Sequence, residues 1–204
     1  MKLTVLQVPM PEAKCALKCP YKMKAEFVVI HNTANDASAV NEIRYMQSND
    51  NEVSFHFAVD DKQAVQGVSL DRNAWHAGDG GKGIGNRKGI GIEICYSKSG
   101  GDRFIKAERK AAELVANILR ENGWGIDAVR KHQDFSGKYC PHRTLDMGWE
   151  RFLGMVREKL EDSEDYADLV CEKCGFEEQT REYLDAYRYA DDLWRKLWLA
   201  MKGE

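Results

Sequence analysis

Glu26-Phe27-Val28-Val29-Ile30-His31 is an unbroken apolar run closed by an imidazole. Its length and β-branched content predict a buried strand that delivers His31 to its tip. Reading outward, Asn32-Thr33-Ala34-Asn35-Asp36 predicts a turn, and residues 37–48 a helix with Val40, Ile43 and Met46 at helical spacing. Residues 53–59 alternate as a strand, and Asp60-Asp61 turns them into residues 63–68 as a hairpin. Residues 77–91 hold seven glycines and predict a long irregular loop lining a site. Residues 89–96 form a predicted strand with Ile90, Ile92 and Ile94 on one face and Gly91, Glu93 and Cys95 on the other. A long helix is predicted over residues 105–121, stopping at Asn122-Gly123. A short strand follows at 129–132 and a helix at 145–160, while the N-terminal arm reads as loop. Strands interleaved with helices predict an α/β domain.

At 204 residues the chain can bury one substantial core and add a small appendage. Apolar residues make up 43% and charged residues 31%, a globular composition. No apolar run approaches a membrane span, so membrane insertion is not expected. The start, Met1-Lys2-Leu3-Thr4-Val5-Leu6-Gln7-Val8-Pro9, is too short and interrupted for a secretory signal, which predicts synthesis in the cytoplasm. Net charge is −3, but residues 161–204 carry 13 acidic against 6 basic side chains, leaving the rest at +4. That mild excess falls short of a nucleic-acid-binding patch. The charge step at Glu161-Asp162-Ser163-Glu164-Asp165 predicts two parts, residues 1–160 and a small helical segment over 163–204. From residue 176 the tail reads as one helix, with Tyr183, Tyr187, Ala190, Trp194, Leu197 and Met201 on an apolar stripe suited to docking or self-association. Wall targeting is the second reading for this segment.

The metal chemistry lies in His31 and in Lys131-His132-Gln133-Asp134-Phe135-Ser136-Gly137-Lys138-Tyr139-Cys140-Pro141-His142. Two imidazoles and one thiolate would fill three tetrahedral positions of zinc and leave the fourth open, as catalytic sites do. The helical H-E-x-x-H signature is absent. His142 competes with Cys140 as third ligand, because both flank Pro141, and the thiolate is preferred. Six cysteines without a signal peptide read as thiols or metal ligands. Cys171-Glu172-Lys173-Cys174-Gly175 looks like half of a zinc ribbon, so a second, structural zinc at Cys171 and Cys174 is weighed against two free thiols at a helix start. Cys15 and Cys19, or a second subunit's tail, would supply the missing pair.

His31-Asn32-Thr33, Val53-Ser54-Phe55-His56-Phe57, Ala74-Trp75-His76-Ala77-Gly78-Asp79-Gly80, Ile92-Glu93-Ile94-Cys95-Tyr96-Ser97 and Ser136-Gly137-Lys138-Tyr139-Cys140-Pro141-His142 together resemble the zinc-dependent N-acetylmuramoyl-L-alanine amidases of the amidase-2 family, related to peptidoglycan recognition proteins. The resemblance runs in order over residues 19–158 and is nearest to catalytic domains of endolysins from phages of bacilli. It implies a central mixed β-sheet flanked by helices, with zinc held above one face by His31, His132 and Cys140. It further implies Glu93 as the proton-transferring base and Lys138 as the group that stabilises the oxyanion. His76, Asn86 and Arg87 are expected to contact substrate. Many relatives have tyrosine where Phe55 stands, so no phenol acid is expected there. The implied partner is bacterial peptidoglycan, cut by an endolysin after release across the membrane. A cytosolic amidase recycling wall fragments and a non-catalytic recognition module are the rival readings.

Overall fold

The computed structural model describes residues 3–161, 166–187 and 190–202. It divides into two compact units, residues 1–157 and 158–204. Residues 162–165, where the sequence put the domain boundary, lie outside the described residues.

The first unit is built on a six-stranded mixed sheet. Its strands are β1 (Val5–Gln7), β2 (Phe27–Asn32), β3 (Phe57–Val59), β4 (Ala64–Gln66), β5 (Gly89–Ile94) and β6 (Val129–Lys131), in the order β1-β4-β3-β5-β2-β6. Only the β3–β4 hairpin is antiparallel. Every residue of β2 is buried, which is the mark of a central strand covered on both faces. The helices of this unit are α1 (Glu12–Lys18), α2 (Ala39–Ser48), α3 (Ile84–Lys88), α4 (Gly101–Asn122), α5 (Gln133–Ser136), α6 (His142–Asp146) and α7 (Trp149–Glu161), the last running on past residue 157. α2 packs on β3 and β4, and α4 packs on β3, β4 and β5.

α4 buries Phe104, Ala107, Ala111, Ala112, Leu114, Val115, Ile118 and Leu119, a stripe at helical spacing. It stops where the sequence predicts, because Gly123 adopts φ 66° and its N–H caps the last turn on Leu119 and Arg120. Other boundaries moved. The predicted strand over 53–59 is ladder-paired only from Phe57. The predicted helix over 145–160 is two helices, parted at Gly148 with φ 104°. The N-terminal arm is not loop: β1 pairs with β4 as a three-residue edge strand and α1 follows it.

The second unit holds α8 (Tyr166–Cys174), α9 (Glu178–Asp185) and α10 (Ala190–Lys202), so the single helix expected from residue 176 is two, α9 and α10. Its small core is Ala167, Val170 and Trp194, flanked by Leu184, Leu197 and Met201. The apolar stripe of the tail is therefore used inside the unit. Tyr183 and Tyr187 do not share it and are 79% and 54% exposed. Cys171 and Cys174 sit in α8 rather than in a knuckle loop.

One ion pair joins α4 to α7. The Arg151 Nη2 lies 2.6 Å from Glu108 Oε2, and Glu108 is wholly buried. Removing the cation strands a charge inside the protein, whereas removing both groups does not. Arg151→Ala is expected to lower the unfolding free energy by about 3 kcal/mol, and pairing Arg151→Met with Glu108→Leu to recover most of it. Urea denaturation of the two variants checks both signs.

Candidate metal centre and active site

Sheet register brings the chemistry together. His31 on β2 pairs with Glu93 on β5, so both side chains leave the same face of the sheet at the same level. On the other side of β2, Ile30 pairs with Lys131, and His132 follows at the end of β6. Cys140 returns to this level after α5, with its N-terminal neighbours closing a turn in which the Gln133 N–H donates to the Cys140 carbonyl at 3.0 Å. Asn32 anchors the next segment: its Oδ1 accepts from the N–H groups of Arg143 and Thr144 at 2.9 and 3.2 Å.

The result is a buried triangle. His31 Nδ1 lies 3.0 Å from His132 Nδ1 and 4.0 Å from Cys140 Sγ. One ligand atom from each residue lies within 4.8 Å of the other two, and among the described residues this is the one group of three or more metal-binding side chains so spaced. His142 is outside it, with Nε2 3.4 Å from the Ser97 carbonyl. Cys140 is thus the third member. Cys171 and Cys174 belong to no such group among the described residues, so the second, structural zinc gains no ligand set there.

Hydrogen bonding sets the imidazole tautomers. The Gly89 carbonyl can only accept, so His76 Nε2, 3.1 Å away, is the donor. A neutral His76 then accepts at Nδ1, and His31 Nε2, 3.0 Å from it, must donate. His31 Nδ1 is left bare, facing the pocket. The Ala77 backbone stands beside the His132 ring, whose Nε2 faces Gly78. His31 Nδ1 thus turns a lone pair toward His132 Nδ1 at 3.0 Å, with Cys140 Sγ 4.0 Å away. Donors converged in this way fit a cation.

Burial favours neutral groups throughout. It holds His31 well below the usual imidazole range, helped by His76, His132 and the Lys138 charge, and it lowers His132 as well. Burial pushes the Cys140 thiol up to about 11, with the Glu93 charge adding to the effect. A bound cation reverses that preference and draws out the thiolate. Glu93 is pushed up to about 8, first by burial and then by the Glu42 carboxylate, with Lys138 opposing. Its Oε2 is buried with no hydrogen-bond partner among the described residues. Lys138 itself is exposed, and its charge acts on His31, His132, Glu93 and Cys140 alike.

Three expected substrate contacts are placed otherwise. His76 is buried with both ring nitrogens engaged. Asn86 is buried too: its Oδ1 accepts from the N–H groups of His76 and Ala77, each at 2.8 Å, and its Nδ2 donates to the Gly80 carbonyl. The Arg87 guanidinium lies over the Tyr21 ring at 4.0 Å. These residues hold the glycine-rich segment together, and α3 breaks the long loop expected there. Gly91 leaves room for His76: a Cβ at Gly91 would lie 2.7 Å from the ring. Glu42 was missed. Its position among Ala39, Ile43 and Met46 on the buried side of α2 was the available signal.

Residues 21–143 match the amidase-2 family model, described as N-acetylmuramoyl-L-alanine amidase. The chain is 62% identical over 148 residues to the N-acetylmuramoyl-L-alanine amidase CwlA of Bacillus subtilis (strain 168), covering 72% of this chain and 54% of that protein. It is 58% identical over 161 residues to the N-acetylmuramoyl-L-alanine amidase XlyB of the same strain, covering 78% and 51%. The chain thus spans about half the length of the curated relatives it matches. Among solved structures, that of PlyL superposes with a TM-score of 0.73 at 52% identity, covering 76% of this chain and 97% of that one. With its sheet, its His-His-Cys triangle and this match in hand, the chain belongs to the amidase-2 family.

Proposed function

We propose that the protein is a zinc-dependent amidase that hydrolyses the bond between N-acetylmuramic acid and L-alanine in bacterial peptidoglycan, acting as an endolysin of the phage or prophage type. The observation that carries this reading is the triangle of His31, His132 and Cys140 standing in register with the half-buried Glu93, whose Oε2 is buried without a hydrogen-bond partner among the described residues. Nitrogen and sulfur donors in this number suit zinc. When bound, zinc supplies a Lewis acid and lowers the pKa of water towards about 7.

The chain's own residues do the rest. Glu93, raised to about 8, takes a proton from the attacking water more readily than an exposed glutamate and can pass it to the departing stem-peptide nitrogen. Lys138, exposed on the turn before Cys140, presents an ammonium to the oxygen that gains charge as the carbonyl becomes tetrahedral. Phe55 is buried and offers no phenol, so Glu93 carries proton transfer alone. A non-catalytic recognition module would have no use for an unpartnered carboxyl kept beside a metal triangle. For the described residues, no helix is long and apolar enough to cross a membrane, and reaching the wall is assigned to release by a separate route. The second unit is assigned docking or self-association, with wall targeting second; Phe176, Tyr183 and Tyr187 are exposed aromatics among its described residues.

Zinc binding near pH 7 is expected to release at least one proton, from Cys140, because its thiol is protonated in the metal-free pocket. Calorimetry in buffers of different ionisation enthalpy measures it, and a heat independent of buffer contradicts it. Glu93→Ala is expected to keep stoichiometric zinc while slowing wall digestion by roughly 10²–10⁴-fold, and Lys138→Met to slow it by roughly 10²–10³-fold. Mass spectrometry of digested peptidoglycan decides the bond: new L-alanine amino termini are expected, and new reducing sugar ends would refute the reading. Clearing of intact walls, against cleavage of small muropeptides alone, separates an endolysin from a recycling enzyme. Sedimentation of the protein with and without residues 158–204 tests self-association, and an unchanged monomer mass eliminates it.

A further inference from the structure

The segment from His76 to Asn86 touches both imidazoles of the triangle from behind. His76 Nδ1 meets His31 Nε2 at 3.0 Å, and the Ala77 backbone stands beside the His132 ring. Two neighbouring residues of one short segment thus reach two histidines that lie 101 positions apart in the chain. The segment is itself fixed at several points. Asn86 Oδ1 grips the N–H groups of both His76 and Ala77, and the Asp79 carboxylate accepts from the N–H groups of Gly85 and Asn86 at 2.7 and 3.2 Å. Below the His76 ring, Gly91 is the residue whose missing Cβ admits it. On its other edge stands His56, whose Nδ1 accepts from the Gly91 N–H at 3.0 Å and whose Nε2 donates to the Arg72 carbonyl at 2.9 Å.

We infer that this segment is a two-armed clamp and that His76 is a positioning residue for the metal: it accepts the Nε2 proton of His31 and thereby fixes the bare Nδ1 of His31 toward His132 and Cys140. The inference rests on the metal reading given above. An unclamped imidazole divides itself between two tautomers and rotates about its side-chain bonds, so only part of its population presents a lone pair to an ion. A hydrogen-bonded partner removes both freedoms, and loss of such partners typically costs 10–100-fold in metal affinity. Asn86 acts one step further out, holding the backbone from which both arms extend.

The test is a zinc titration of the protein against a chromophoric chelator. His76→Ala is expected to raise the zinc dissociation constant by about 10–100-fold. His76→Gln, whose amide oxygen can accept the His31 proton, is expected to recover most of that loss. Nitrogen-15 spectra of the metal-free wild-type protein give a readout that needs no variant: His31 is expected wholly in the Nε2–H form, and a predominant Nδ1–H form overturns the inference. If His76 only fills space, His76→Ala lowers the melting temperature but leaves zinc affinity and the His31 tautomer unchanged, which likewise overturns it. A wild-type protein that takes up no zinc overturns the underlying metal reading instead. Zinc uptake and wall cleavage at wild-type levels, together with an indifferent His76→Ala, sink the clamp alone.

Discussion

Two imidazole nitrogens held 3.0 Å apart inside the protein are the constraint from which the site follows. Neither ring can turn to water, because both are buried, and His31 cannot move its proton to Nδ1 without losing the bond to His76. The same burial that keeps the imidazoles neutral raises Cys140 and Glu93, so the pocket is built to be completed by positive charge.

The sheet makes that convergence cheap. Parallel pairing of β2 with β5 and with β6 sets three strand ends side by side, so His31, Glu93 and His132 reach one level without unusual backbone. Ligands in an open α/β sheet gather where strands end, and this site follows that rule. α2 packs on β3 and β4 and α4 on β3, β4 and β5, and the burial of β2 and β5 supplies the low-polarity surroundings on which the shifted ionisations depend.

Much of this was legible in the sequence, for identifiable reasons. β2 and β5 announce themselves through continuous or alternating isoleucine and valine, and α4 through a long stripe ending at a glycine. His31, His132 and Cys140 could be named because metal ligands are few in kind and occur at element ends. β1 and α1 were invisible, since a three-residue edge strand is specified by its partner β4 rather than by its own pattern. The structural partners of His76, Asn86 and Arg87 were hidden for a related reason: polar residues in a glycine-rich stretch look solvent-facing, and nothing local reveals that they bond to backbone groups of that stretch. In the tail, apolar spacing carried straight through a break between α9 and α10, because periodicity records which faces are greasy and not whether the axis is continuous.

The three members of the triangle are drawn from positions 31, 132 and 140, with most of the first unit's chain looped between the first two. An ion seated among them would act as a buckle. Closing so long a span restricts the unfolded chain, and any occupant that prefers the folded form stabilises it by mass action. Resistance to heat and to proteases would then rise and fall with cation supply, so that starvation for the ion would disarm the molecule and expose it to digestion at one stroke.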